Sequence, residues 1–427
     1  MTQPARLAET TALLKELRAD GYGDDEHAAA LASVQESPNS LPLRRAISQA
    51  NWENPNGEAI ELGAHDRYLH TIPRAQARAI VAIQDMVAKQ PLGRGLVDTA
   101  RAGGVEYGFS NRIAPQFIAQ FNVTERRHLF NSQQSFPDSP GFFVATAAYI
   151  TSHELAHSQQ YAVLGQHLRD REMGIDDLTI PLDDRILTTR HLEATANSVA
   201  VQVAFDNMKA GDNRMWRSLA VSLFDQEEVM AFNLAVQGDH ATGGDGRARR
   251  AAHDAFFKRA DYMGKYDDQL IMMYANTLRM LAKRQEAGFP DPNDRKVAQT
   301  IGSRPHQDDD IALVAEMPDG INHLKLPGGA GVSDAKYTAP SSDRRAGQVL
   351  YLMGLAERFR TDQTVTMQMV DVTRTIQTKD EAAKMLDDLK AGDELISAAK
   401  LDGWQAKRRD YGGKPTLILP PGMKPNG

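Results

Sequence analysis

The 427-residue chain contains no cysteine. That excludes disulfides and every thiolate metal site, so any metal must be held by histidine, aspartate or glutamate. Long apolar runs are also missing. The most apolar stretch, Phe142 to Ile150, is far too short to cross a membrane. The first residues, "MTQPARLAETTALLKELRADGYGDDEH", lack a basic region followed by an apolar one, so no secretory signal is expected. The expected location is the cytoplasm, with signal-less export left open. An excess of positive charge is absent too. The net charge is -7, which leaves no footprint for nucleic acid or an anionic membrane. The short basic cluster at Arg247, Arg249 and Arg250 reads as solvated helix surface.

What is present is the composition of a globular protein, 41% hydrophobic and 25% charged, in a chain long enough for two or three domains. Residues 4–20 read as a short amphipathic helix, and 36–58, rich in Pro, Asn and Ser, as a linker. A helix is expected over about 72–90, with Ile80, Ile83, Met86 and Val87 on one face and Pro91-Leu92-Gly93 as its stop. Three short segments at 104–110, 116–122 and 126–132 have strand character and suggest a small antiparallel meander. An apolar helix follows around 142–165, then a polar loop and a second long helix from about 183. Further helices are expected at 215–235 and 249–287, and a loop at 289–308. The remainder combines strand-like "IALVAEM" and "PTLILPPG" with a helix near 380–400. The expected organisation is an N-terminal segment (1–60), a central domain (61–288) and a small C-terminal α+β region (289–427).

The central helix carries "SHELAHSQQY". His153 and His157 are four apart and project from one face, so both imidazoles can converge on one ion at about 2.0–2.1 Å. Glu154 stands beside the first ligand, where a carboxylate can take a proton from a metal-activated water. Two structural histidines on an amphipathic helix are the plainer alternative.

A catalytic zinc needs a third protein ligand. The extended motif with a further Gly and His is absent, because Gln160 and Val163 occupy those positions. In "TTRHLEATANSVA" the candidates are His191 and Glu193, which point about 200° apart and cannot both face one metal. Glu193 shares a face with Asn197, Ala200 and Val201, read as inward. His191 goes with Thr188 and Thr195, read as a more polar side. Glu193 is therefore the expected ligand. Asn197 is a candidate to orient a ligand imidazole. Tyr161, His253 and Tyr266 are candidates for stabilising an oxyanion. Asp308-Asp309-Asp310 reads as a solvated loop.

"SHELAHSQQY" followed by "RHLEATANSVAVQVAF" resembles the gluzincin-type zinc metallopeptidases. It is closer still to a bacterial set of metallopeptidases with an H-E-L-x-H-x-x-Q helix and an R-x-x-E-A-x-A helix. "PLGRGLVDTARAGGVEYGF" and "AFFKRADYMGKYD" are also similar to that set, so the resemblance spans roughly residues 72–285. It implies Zn²⁺ on His153, His157 and Glu193, Glu154 as base, and a zincin-like α+β fold with the meander above the active-site helix. Asn197 stands where an aspartate is expected. The reading is a zinc-dependent peptidase acting on a peptide or protein. The alternatives are a non-catalytic zincin-like scaffold, acting as a secreted effector or interaction module, and a metal-free structural protein. Mn²⁺ or Co²⁺ would suit the same ligands.

Overall fold

The computed structural model describes residues 74–110, 113, 117–122, 125–131, 140–171, 178–221, 226–338, 342–365 and 376–392. The expected helix at 4–20, the linker at 36–58 and the strand in "PTLILPPG" lie outside them. The described residues are mostly helical with one small three-stranded sheet. They divide into two compact units assembled from separate stretches of chain. One takes residues up to 163, 195–253 and 315–323; the other takes 164–194, 254–314 and 324 onward. No helix among them is long and apolar enough to cross a membrane.

The first unit opens with α1 (Arg74–Val87) and α2 (Pro91–Ala102). Pro91 ends no helix; it begins one, at the first helical position, where its missing N–H costs nothing. The turn between the two helices is tight. A Cβ at Gly93 would sit 1.9 Å from the Val87 carbonyl oxygen, so only glycine fits. Strands β1 (Glu106–Ser110), β2 (Ala119–Asn122) and β3 (Arg127–Asn131) form the sheet.

Their order corrects the expected antiparallel meander. It is β1-β3-β2, with β1 parallel to β3 and β2 antiparallel to it. Alternating polarity marks strands but not their neighbours. The centre goes to β3, which buries His128 and Phe130 completely. Asn131, at its end, donates its side-chain N–H to the Phe117 carbonyl (2.9 Å), and its backbone N–H to Ile118 (2.8 Å). Those bonds carry the chain after β1 past the end of β3 and make β2 an outer strand.

Two long helices follow, α3 (Pro140–Asp170) and α4 (Leu182–Lys209), then α5 (Arg214–Val221), α6 (Gln226–Gly238) and α7 (Arg247–Phe256). The core joins Ile83 and Val87 of α1, Leu96 of α2, Phe130 of β3, Leu155 of α3, Val199 and Val203 of α4, and Phe232 of α6. Small residues (Ala147, Ala148 and Ala156 of α3; Ala196, Ala200 and Ala204 of α4) are buried in the same core.

In the second unit, Leu182 and Ile186 of α4 pack with α8 (Ala260–Glu286), α9 (Pro292–Thr300), α11 (Asp343–Arg360) and α12 (Lys379–Gly392) around Tyr274, Leu278, Leu352 and Leu355. The expected loop at 289–308 holds α9, started by Asp291, whose carboxylate accepts from the Asn293 N–H (2.8 Å), with Pro292 behind it. "IALVAEM" is helical rather than a strand. It continues α10 (Asp308–Ala312) and a 3-10 turn at Leu313–Ala315. The three aspartates are therefore a helix start, not a solvated loop. Asp310 is buried, closes a capping box on Gln307 and pairs with Arg171 and His167. The described part of the C-terminal region is thus helical, with no strand among its described residues.

Candidate metal centre

Around the histidines, helix α3 keeps one side partly accessible. Ile150, His153, Glu154, His157, Ser158 and Tyr161 are half-buried, while Thr151, Ser152, Leu155, Ala156 and Gln160 are buried. The stripe recurs every three to four residues, as one face of a helix must. It places both histidines beside each other with Nε2 atoms 3.1 Å apart and rings edge-to-face. Two nitrogens bound to one tetrahedral zinc stand roughly 3.3 Å apart, so the pair is already set at ligand spacing.

Gln160 prepares His157. Fully buried one turn later, it accepts at Oε1 from His157 Nδ1–H at 2.8 Å. A proton on Nδ1 leaves the lone pair on Nε2, the atom that faces His153. Glu154 points to the sheet: its Oε2 accepts from the backbone N–H of Phe121 in β2 (3.1 Å). Ile118 carries the carbonyl that bonds to β3, so Phe121, three residues on, turns its N–H away from the sheet. The free edge of β2 thus holds the carboxylate.

Helix α4 is buried on every side. From Arg185 to Phe205 only Thr189 and Glu193 are half-buried. This overturns the expected polar face: His191, Thr188 and Thr195 are all buried. His191 donates from Nε2 to the Val332 carbonyl (2.9 Å) and packs its ring on Tyr337 and Phe257. Glu193 instead shares the one accessible spot on the helix. Its carboxylate and one nitrogen each of His153 and His157 all lie within 4.8 Å of one another, a group that could hold a metal ion. His191 and His253 stand outside that group. His253 is buried with its ring 5.2 Å from that of His323.

Asn197, expected to orient an imidazole, is buried with its amide nitrogen lacking a partner. Gln160 serves His157 instead. The Tyr266 hydroxyl lies 3.4 Å from the Tyr262 hydroxyl, near enough to the group to feel the charge of Glu193. Burial, followed by the charge of Glu193, drives that phenol far above its ordinary range, so it stays a donor. Three further residues escaped sequence reasoning. Asp267 forms a buried, two-pronged ion pair with Arg190 (3.0 and 2.6 Å), and Thr151 meets His128 Nε2 at 3.0 Å. The third is Phe121, whose contribution is a backbone N–H and leaves no trace in residue type.

Residues 140–288, about a third of the chain, match the model of a family described as "Putative metallopeptidase family (DUF6782)". The match covers α3 and α4 and ends just past α8. No curated protein and no solved structure matches the chain.

Proposed function

We propose that this protein is a zinc-dependent peptidase of the gluzincin type, with His153, His157 and Glu193 as metal ligands and Glu154 as general base. The observation that carries the reading is the group itself: two imidazoles at ligand spacing, one with its tautomer set by Gln160, together with a carboxylate from the next long helix. Borderline N and O donors without thiolate suit Zn²⁺. The description of the matched family, "Putative metallopeptidase family", supports hydrolysis of a peptide bond.

Zinc held there supplies a Lewis acid that polarises a carbonyl and makes water acidic enough to react near neutral pH. The chain's own residues do the rest. Glu154, on the accessible stripe of α3 beside both histidines, takes the proton from the attacking water and passes it to the departing amine. The N–H of Phe121 keeps Oε2 of that carboxylate oriented. Gln160, accepting from Nδ1–H, turns the Nε2 lone pair of His157 towards His153.

The test is metal content by plasma mass spectrometry, for the wild type and for His153→Ala, Glu193→Ala and His191→Ala, followed by a peptide-library digest. Near one zinc per chain is expected in the wild type and in His191→Ala. Loss is expected in the other two, with cleavage only where zinc is retained. A wild type that takes up no zinc from excess would end the proposal.

A further inference from the structure

We infer that His128 and Thr151 are positioning residues for the general base: the hydrogen bond between them fixes where the sheet sits along α3, and so holds the Phe121 N–H on the Glu154 carboxylate. The inference rests on the proposed role of Glu154 as base.

Two polar contacts between the sheet and α3 start from one rung of the ladder. His128 of β3 and Phe121 of β2 stand directly opposite each other. Asn131 donates its backbone N–H to Ile118, and rungs alternate from there. The Phe121–His128 rung therefore carries no ladder bond, and its two residues approach closely. From that rung, His128 Nε2 meets Thr151 Oγ1 at 3.0 Å, and the Phe121 N–H donates to Glu154 Oε2 at 3.1 Å. Thr151 and Glu154 are three apart on α3 and so are neighbours on its surface. Sheet and helix are stitched together over a single turn.

Apolar packing does not set this alignment. Ala119 and Phe130 of the strands share the core with Ala148 and Leu155 of α3, but such burial has no preferred direction. A hydrogen bond has one, and weakens steeply when misaligned. The polar pair is also a costly way to fill the space. His128 and Thr151 are completely buried, and His128 Nδ1 has no partner. Two apolar side chains of the same shape would be at least as stable there. What the pair adds is a fixed point on the central strand. Glu154 is only half-buried, so its bond to Phe121 is the outer of the two and depends on the inner one for its geometry.

The experiment is hydrogen–deuterium exchange on the full chain at micromolar concentration, read by mass spectrometry with fragmentation that resolves the amides of Phe121 and Phe130. Phe130, completely buried on the central strand, reports opening of the sheet as a whole. Thr151→Val keeps the shape of the side chain and removes the hydroxyl. The expected result is exchange at Phe121 faster by about 10-fold, the weight of one hydrogen bond, with Phe130 changed by less than about 2-fold. Thr151→Ser should restore the wild-type rate. In a Glu154→Ala background the amide has already lost its acceptor, and Thr151→Val should add less than about 2-fold. An unchanged Phe121 rate in Thr151→Val overturns the inference. Equal acceleration at Phe121 and Phe130 does so too, as does a full effect in the Glu154→Ala background. If Thr151→Val fails to fold, His128→Leu with Thr151→Val replaces both partners by apolar groups and is read by the same comparison. Failure of the underlying base assignment looks different: Glu154→Gln would then retain turnover with zinc bound, whatever the exchange rates.

Discussion

Gln160 and His157 are joined by a 2.8 Å hydrogen bond that decides which nitrogen of the imidazole is free. Replacing Gln160 by leucine removes the acceptor and leaves the ring to choose its tautomer. Zinc affinity should fall about 10-fold or more. Gln160→Glu, which keeps an acceptor and adds charge, should match or exceed wild type. Chelator competition distinguishes the two variants. Equal affinity in the leucine variant and wild type would remove Gln160 from the site.

Glu154→Gln preserves shape and can still accept from Phe121 N–H, but it cannot take a proton. It should retain zinc and lose at least about 10²- to 10⁴-fold in peptide hydrolysis. Turnover near wild type, with zinc bound, would assign the base elsewhere.

His128 gives a pH prediction. Complete burial between Tyr107 and Phe130 lowers its pKa from 6.5 to about 3, and its Nδ1 has no partner. The depressed value means that the unfolded chain binds a proton below pH 6.5 that the folded chain refuses. Stability therefore declines as pH falls from 6.5 towards 3, and the group contributes nothing above that window. The slope is at most about 1.4 kcal/mol per pH unit. His128→Asn should flatten the acid limb of denaturant-measured stability by up to that amount. An unchanged limb would mean that His128 is protonated in the fold.

Removing Asp267 leaves the Arg190 guanidinium buried without its carboxylate. Asp267→Ala should cost about 3–5 kcal/mol in chemical denaturation, whereas Arg190→Met with Asp267→Leu should be nearer neutral. If the single and double variants prove equally unstable, packing rather than unpaired charge dominates that joint.

The parts of this protein legible in its sequence were local ones. Spacing alone put His153 and His157 on one side of a helix, because a turn is complete within four residues. The places of α1, α3 and α4 followed from apolar periodicity, whereas Pro91, expected to stop α1, begins α2. Strand order did not. It depends on Asn131 tying down the chain at Phe117, fourteen residues earlier, a contact invisible to any periodic pattern. The contrast between His191 and Glu193 was drawn from a polar side that α4 does not have. A helix buried all round has no polar side to read, and Thr188 and Thr195 are interior. "IALVAEM" looked like a strand because its apolar run is short, and such runs are ambiguous; Asp310, by capping the chain just ahead, makes it helical.

The amide of Phe121 has a consequence beyond the chemistry of Glu154. An outer strand exposes N–H and C=O groups to any passing chain, which is how sheets recruit strangers and aggregate. On β2, a strand of four residues, one outward amide is already occupied by a carboxylate of the same molecule. The short strand and the resident anion together make this edge a poor template for self-association. Glu154→Ala, unlike Glu154→Gln, would strip that protection, and light scattering at high concentration would show it as increased oligomer.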